Sequence, residues 1–127
     1  MRELLDKLGV KPRARVALVD LDEPWFGELL RTRTGEILKG ARARDCDIVF
    51  FGAHDLTALR RISTLKGMIK PNGAIWVIRL KGGRGPIGDT DVIDAGLQAG
   101  LVDNKIASFS DTQAAMRLVF RLRDRPR

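Results

Sequence analysis

Few residues in this chain combine a reactive type with a position from which chemistry could be done. His54 is the single histidine. It follows the apolar run FFGA, where a general base could sit, although a polar residue introducing a helix has the same signature. Asp20 and Asp22 follow the run RVALV and could share a cation. Nothing at a recognisable spacing adds a third ligand, so no metal is expected. Residues 82–88, GGRGPIG, offer backbone amides beside Lys81 and Arg84, and a helix starting at Asp89 would add its own N–H groups. Together these could grip a phosphate. The stretch lacks the Gly-Lys-Ser/Thr ending of a P-loop, and a mobile connection would look the same. The candidate ligand-binding set is therefore Asp20, Asp22, His54, Lys81, Gly83, Arg84 and Gly85. No residue is assigned a catalytic role. Cys46, the lone cysteine, has no disulfide partner within the chain and reads as a structural thiol.

These residues need elements to position them. Residues 74–80, AIWVIRL, are almost unbroken apolar and follow Lys70-Pro71-Asn72-Gly73, a combination that ends a helix and favours a turn. Such a run fits a strand covered on both faces. Residues 15–20 and 47–52 read as two more buried strands, and 36–38 as a short edge strand. Leu4, Leu5 and Leu8 mark an opening helix closed by Gly9. Asp22-Glu23-Pro24 starts a second helix that buries Trp25, Phe26, Leu29 and Leu30. Asp55 caps a third, bearing Leu56, Leu59, Ile62, Leu65 and Ile69, and Asp89 or Thr90 caps a fourth that ends at Gly100. Residues 102–109 and 115–122 read as a terminal hairpin, its last strand half-buried because apolar residues alternate with Arg117, Arg121 and Arg123.

The alternation of helices and strands predicts an α/β fold. Its mostly parallel sheet lies between helices on both faces, three layers in all, and ends in an antiparallel hairpin. Length bounds this to one domain, residues 1–127. No apolar run approaches the roughly 20 residues that span a bilayer, and acids interrupt the leucines of the first ten residues. A cytoplasmic location with no membrane partner is the expectation. The net charge of +7 raises the weight of an anionic partner. In a parallel sheet, residues preceding the strands gather at one edge. Arg13, Arg15, Arg42, Arg44 and Lys70 should lie there, and an antiparallel last strand should deliver Arg121, Arg123, Arg125 and Arg127 to the same edge. Arg13, Arg15, Arg42, Arg44, Arg121 and Arg123 are the candidate polyanion-binding set.

Residues 65–76, LKGMIKPNGAIW, the helix closing at Ala99-Gly100-Leu101 and the terminal hairpin resemble the class I S-adenosylmethionine-dependent methyltransferase fold. The opening LGVKPRARVALVD, residues 8–20, looks like its lead-in strand. More closely, LLDKLGVKP (residues 4–12) and AGLVDNKI (residues 99–106) resemble a small bacterial domain family that brings no activity with it. The methyltransferase resemblance implies a Rossmann-like scaffold and S-adenosylmethionine as cofactor. Two departures count against that cofactor. A nucleotide-binding first strand should lead into a glycine turn, whereas Leu21-Asp22-Glu23-Pro24-Trp25-Phe26 follows here and the next glycine is Gly27. An acid should end the second strand to meet ribose hydroxyls, whereas Glu36 stands at its start.

The sequence therefore supports a non-catalytic, methyltransferase-like domain that binds a partner or a small anionic ligand and needs no cofactor. The alternatives are a reduced S-adenosylmethionine-dependent methyltransferase, and a nucleic-acid accessory protein using the basic edge. Whether a reaction is catalysed stays open, and the partner could be a second copy of the chain.

Overall fold

The computed structural model describes residues 2–125. The chain runs through α1 (Arg2–Lys7), β1 (Arg15–Val19), α2 (Pro24–Arg31), β2 (Glu36–Lys39) and β3 (Cys46–Gly52). It continues through α3 (Ile62–Leu65), β4 (Ile69–Leu80), α4 (Asp89–Gln98), β5 (Leu101–Ser108) and β6 (Gln113–Phe120). The strands form one sheet in the order β2-β1-β3-β4-β6-β5. The first four are mutually parallel, and β6 is antiparallel to both its neighbours.

Helices cover both faces, as the apolar runs require. On one face Leu5 and Leu8 of the α1 region and Phe26 and Leu30 of α2 pack on Val16, Leu18, Phe50, Trp76 and Ile78. On the other, Leu59, Ile62, Leu65, Met68 and Val92 pack on Val19, Val49, Phe51, Ile75, Val77 and Leu118. Each central strand thus places alternate residues in two separate cores, which is why residues 16–19, 48–51 and 74–78 contain no polar side chain.

Four local expectations change. The turn at 70–73 lies within β4 rather than before it. Ile69 pairs with Cys46, and pairing resumes with Ala74 opposite Ile48. The four residues between them bulge out of the ladder, and a Cβ on Gly73 would stand 3.0 Å from the carbonyl oxygens of both Asp47 and Cys46. The single helix expected from Asp55 to Ile69 is instead a 3-10 turn (Thr57–Arg61), α3 and a second 3-10 turn (Lys66–Met68). The reason is in the spacing: the buried residues Leu59, Ile62, Leu65 and Met68 recur every third position, the period of a 3-10 helix. Asp55 still accepts the Ala58 N–H at 2.8 Å, whereas Leu56 is exposed and Ile69 belongs to β4.

α4 is opened by Gly88, whose N–H donates to Asp91 Oδ2 at 2.8 Å, so the capping carboxylate is neither Asp89 nor a Thr90 hydroxyl. Finally, β6 is covered on both faces. Ala115, Met116, Leu118 and Val119 are all buried, because the strand is inserted between β4 and β5, while Leu122 lies past its end and is 78% exposed.

Candidate functional site

The carboxyl ends of β1, β3 and β4 surround a cleft of about 320 Å³, the position at which open α/β sheets take ligands. Its shape starts with Asp20, which leaves β1 in the left-handed region (φ 53°) and so turns the chain across the end of β3. Gly52 makes that crossing feasible, since an added Cβ would overlap the Asp20 carbonyl oxygen. Asp20 Oδ2 pairs with the Arg61 guanidinium, which lies 5.8 Å from the centre of the Phe51 ring. His54 is exposed at the rim with Nε2 3.2 Å from the Asp20 carbonyl oxygen. A carbonyl only accepts, so this contact uses an Nε2 proton.

Glu23 forms one wall. Its Oε2 accepts the Trp25 indole N–H at 3.0 Å, and its Oε1 accepts from Gln113 Nε2 at 3.1 Å. Trp25 in turn packs on Phe109, with ring centres 5.2 Å apart. The carboxylate therefore joins the β1–α2 connection to the start of β6. On the opposite side, Arg79 donates to the carbonyls of Leu80 (3.1 Å) and Ile87 (3.0 Å) and pairs with Asp89. It pins the glycine-rich loop so that Gly85, Pro86 and Ile87 close the cleft.

Of the residues singled out in the sequence, Asp20, Asp22, His54 and Gly85 come together around this cleft, whereas Lys81, Gly83 and Arg84 do not line it. Lys81 points to the hairpin, where Nζ donates to Ser108 Oγ at 2.9 Å. Sequence reasoning missed Gln113 and Gly52. Gln113 reaches the cleft only because β6 pairs with β4, and the sole hint of Gly52 was a glycine ending an apolar strand. Among the described residues no cluster of three or more His, Cys, Asp or Glu is arranged to hold a metal ion, and no helix is long and apolar enough to cross a membrane.

The basic residues sit at the other edge. Arg13 precedes β1 and Arg15 opens it; Arg42 and Arg44 precede β3; Arg121 and Arg123 follow β6, which runs back to this side. Arg127 lies outside the described residues. Several of these cations are used internally. Arg15 bonds Glu36 at 3.0 Å, which raises its pKa, and donates Nε–H to the Arg44 carbonyl at 2.8 Å. Arg44 curls onto the carbonyls of Ala43 (3.0 Å) and Arg42 (3.2 Å).

No protein-family model matches the chain, and no curated protein does. Solved structures do. A SAM-dependent methyltransferase from Aquifex aeolicus superposes with a TM-score of 0.69 at 12% identity, over 92% of this chain and 87% of that one. A TehB-like SAM-dependent methyltransferase from Corynebacterium glutamicum gives 0.61 at 10% identity, over 94% and 86%. LepI, solved in complex with SAM, gives 0.57 at 15% identity, over 94% of this chain but only 39% of LepI. At such identities the likeness shows the fold: the chain has the α/β architecture of class I methyltransferases.

Proposed function

We propose that this domain binds a small ligand or partner in the carboxyl-end cleft and does not transfer methyl groups. Glu23 is the observation that carries this reading. Nucleotide-binding α/β folds keep side chains out of the first turn so that the backbone can approach the cofactor. Here Glu23 occupies that turn, and hydrogen bonds to Trp25 and Gln113 at 3.0 and 3.1 Å hold it there. At the carboxyl end of β2, where an acid would meet ribose hydroxyls, stands Lys39. These residues do not fit S-adenosylmethionine, and no methyl transfer is derived from them.

The charges left over set the class of ligand. Asp22 and Glu23 line the cleft and, among the described residues, no cation pairs with them, while Arg79 is engaged by Asp89 and Lys81 by Ser108. That balance favours a neutral or cationic molecule rich in hydrogen-bond donors over a small anion. Calorimetric titration with S-adenosylmethionine and its demethylated product tests the central claim. Neither should bind in the micromolar range. Micromolar binding of either would replace this reading with that of a reduced methyltransferase.

A further inference from the structure

A second cavity of about 320 Å³ opens at the amino edge, with Lys11, Arg13, Asp47, Asn72 and Arg117 among its polar lining. Arg117 is the unusual member. It lies half-buried in β6, one strand in from the sheet's edge, directly between Trp76 of β4 and Lys105 of β5. Residues opposite one another in a ladder share a face, so all three side chains project toward the end of α1.

Most of the carbonyls that α1 and the following turn present are already used. Trp76 Nε1 donates to the Leu8 carbonyl at 2.9 Å, and Lys105 Nζ to the Lys7 carbonyl at 2.7 Å. Arg33 takes the Val10 carbonyl at 2.9 Å, and backbone N–H groups take those of Leu4, Leu5 and Asp6. Asp47, the acid in the lining, is also used: Lys70 Nζ binds Oδ1 at 3.0 Å and the Arg15 N–H binds Oδ2 at 2.8 Å. Among the described residues, no hydrogen bond or ion pair reaches the side chains of Lys11, Arg13 or Arg117. Burial, reinforced by the like charge of Arg125, pushes the Arg117 pKa below an arginine's ordinary value. Arg13 adds backbone strain, holding a left-handed conformation (φ 68°) without being glycine.

An unpaired, partly desolvated guanidinium beside another cation weakens the isolated fold. The fold would regain that stability from an anion delivered from outside. We propose that the amino-edge cavity binds a phosphate group, with Arg117 as the planar fork and Arg13 and Lys11 completing the charge. A guanidinium presents paired donors that match phosphate oxygens. The cavity lies at the lower end of the roughly 300–1,000 Å³ usual for small-molecule sites, so it has room beyond the phosphate itself. The phosphate could belong to a small phosphate ester or to a nucleic-acid backbone; both present the same oxygens.

Inorganic pyrophosphate is the probe. Thermal melts of the whole chain should be run with pyrophosphate against sodium chloride of equal ionic strength, on the natural protein and on Arg117→Met. Phosphates stabilise many proteins by surface exclusion, and the variant subtracts that effect. Pyrophosphate should raise the melting temperature of the natural protein above the chloride control, and Arg117→Met should lose that excess. Calorimetry should show binding weakened about tenfold or more. Arg13→Gly, which relieves the left-handed backbone while deleting a cation, should weaken binding without lowering the melting temperature, and serves if Arg117→Met does not fold. Competition by a short DNA duplex identifies the source. Displacement of pyrophosphate with a log–log salt slope near −0.9 per phosphate neutralised assigns a nucleic-acid backbone; pyrophosphate binding that the duplex leaves unmoved assigns a small ester. No excess over chloride in the natural protein, or an equal excess in both variants, overturns the site.

Discussion

The two edges of the sheet treat charge in opposite ways. Around the carboxyl-end cleft, Asp20 is paired with Arg61, Arg79 with Asp89, and Glu23 is shared between Trp25 and Gln113. Around the amino-edge cavity, Arg117 has Lys105 beside it across the ladder and Arg125 near enough to depress its pKa, and no counter-charge pairs with it among the described residues. The first arrangement stabilises the molecule as it stands. The second weakens it until something else arrives. In an open α/β sheet the carboxyl ends are where a ligand is sought first, yet among the described residues the half-buried cation without a partner lies at the opposite end.

Both edges are carried by β4, so the largest effect should come from there. Trp76 is fully buried and anchors α1 through the Leu8 carbonyl. Trp76→Ala should cost about 3–5 kcal/mol in urea melts and collapse both sites together; a loss under about 1 kcal/mol would mean that the ring is not in the core. Gly52→Ala comes next. Its Cβ must displace the Asp20 backbone, which should cost about 1–3 kcal/mol. The disturbance belongs to one edge, so the pyrophosphate response at the other should survive; its loss would show that the edges are coupled.

The next test turns on sign. Glu23→Ala leaves the Trp25 and Gln113 donors without acceptors and should destabilise by about 1–2 kcal/mol, with a shift in tryptophan emission. Arg117→Met keeps the stem and deletes an uncompensated charge, so in phosphate-free buffer its melting temperature should equal or exceed that of the natural protein. If both variants destabilise, the contrast between the edges is wrong. The smallest effect is purely kinetic. Cys46 is fully buried, and that burial raises its thiol pKa. Labelling by a disulfide reagent at mildly alkaline pH should therefore proceed no faster than global unfolding, as judged from its denaturant dependence.

The fold was legible because its strands are buried on both faces and therefore read as continuous apolar runs at 16–19, 48–51 and 74–78. The departures arose where two patterns compete. Leu59, Ile62, Leu65 and Met68 satisfy a loose helical stripe as well as a strict three-residue period, and only the packed structure chooses between them. Pro71-Asn72-Gly73 is a turn in either context; sequence does not say whether the ladder resumes beyond it. At the site, Asp20, Asp22 and His54 could be placed because they follow apolar runs. Gln113 and Arg117 could not, since their neighbours depend on where β6 inserts. In one dimension Arg117 alternates with Met116 and Leu118, the pattern of a solvent-facing residue on a half-covered strand. Inserted between β4 and β5 and facing the end of α1, the same residue is partly withdrawn from water.

That insertion also governs how the chain can be made. β5 precedes β6 in the chain but pairs only with it, and one side of β4 has no other partner. During synthesis β4 keeps an open edge, and β5 has nothing to bind, until residues 113–120 have left the ribosome. An unpaired strand edge is a template for pairing with other chains, and contacts this distant in sequence form slowly. The nascent protein thus carries an exposed edge from the emergence of residues 69–80 until residues 113–120 follow and close it.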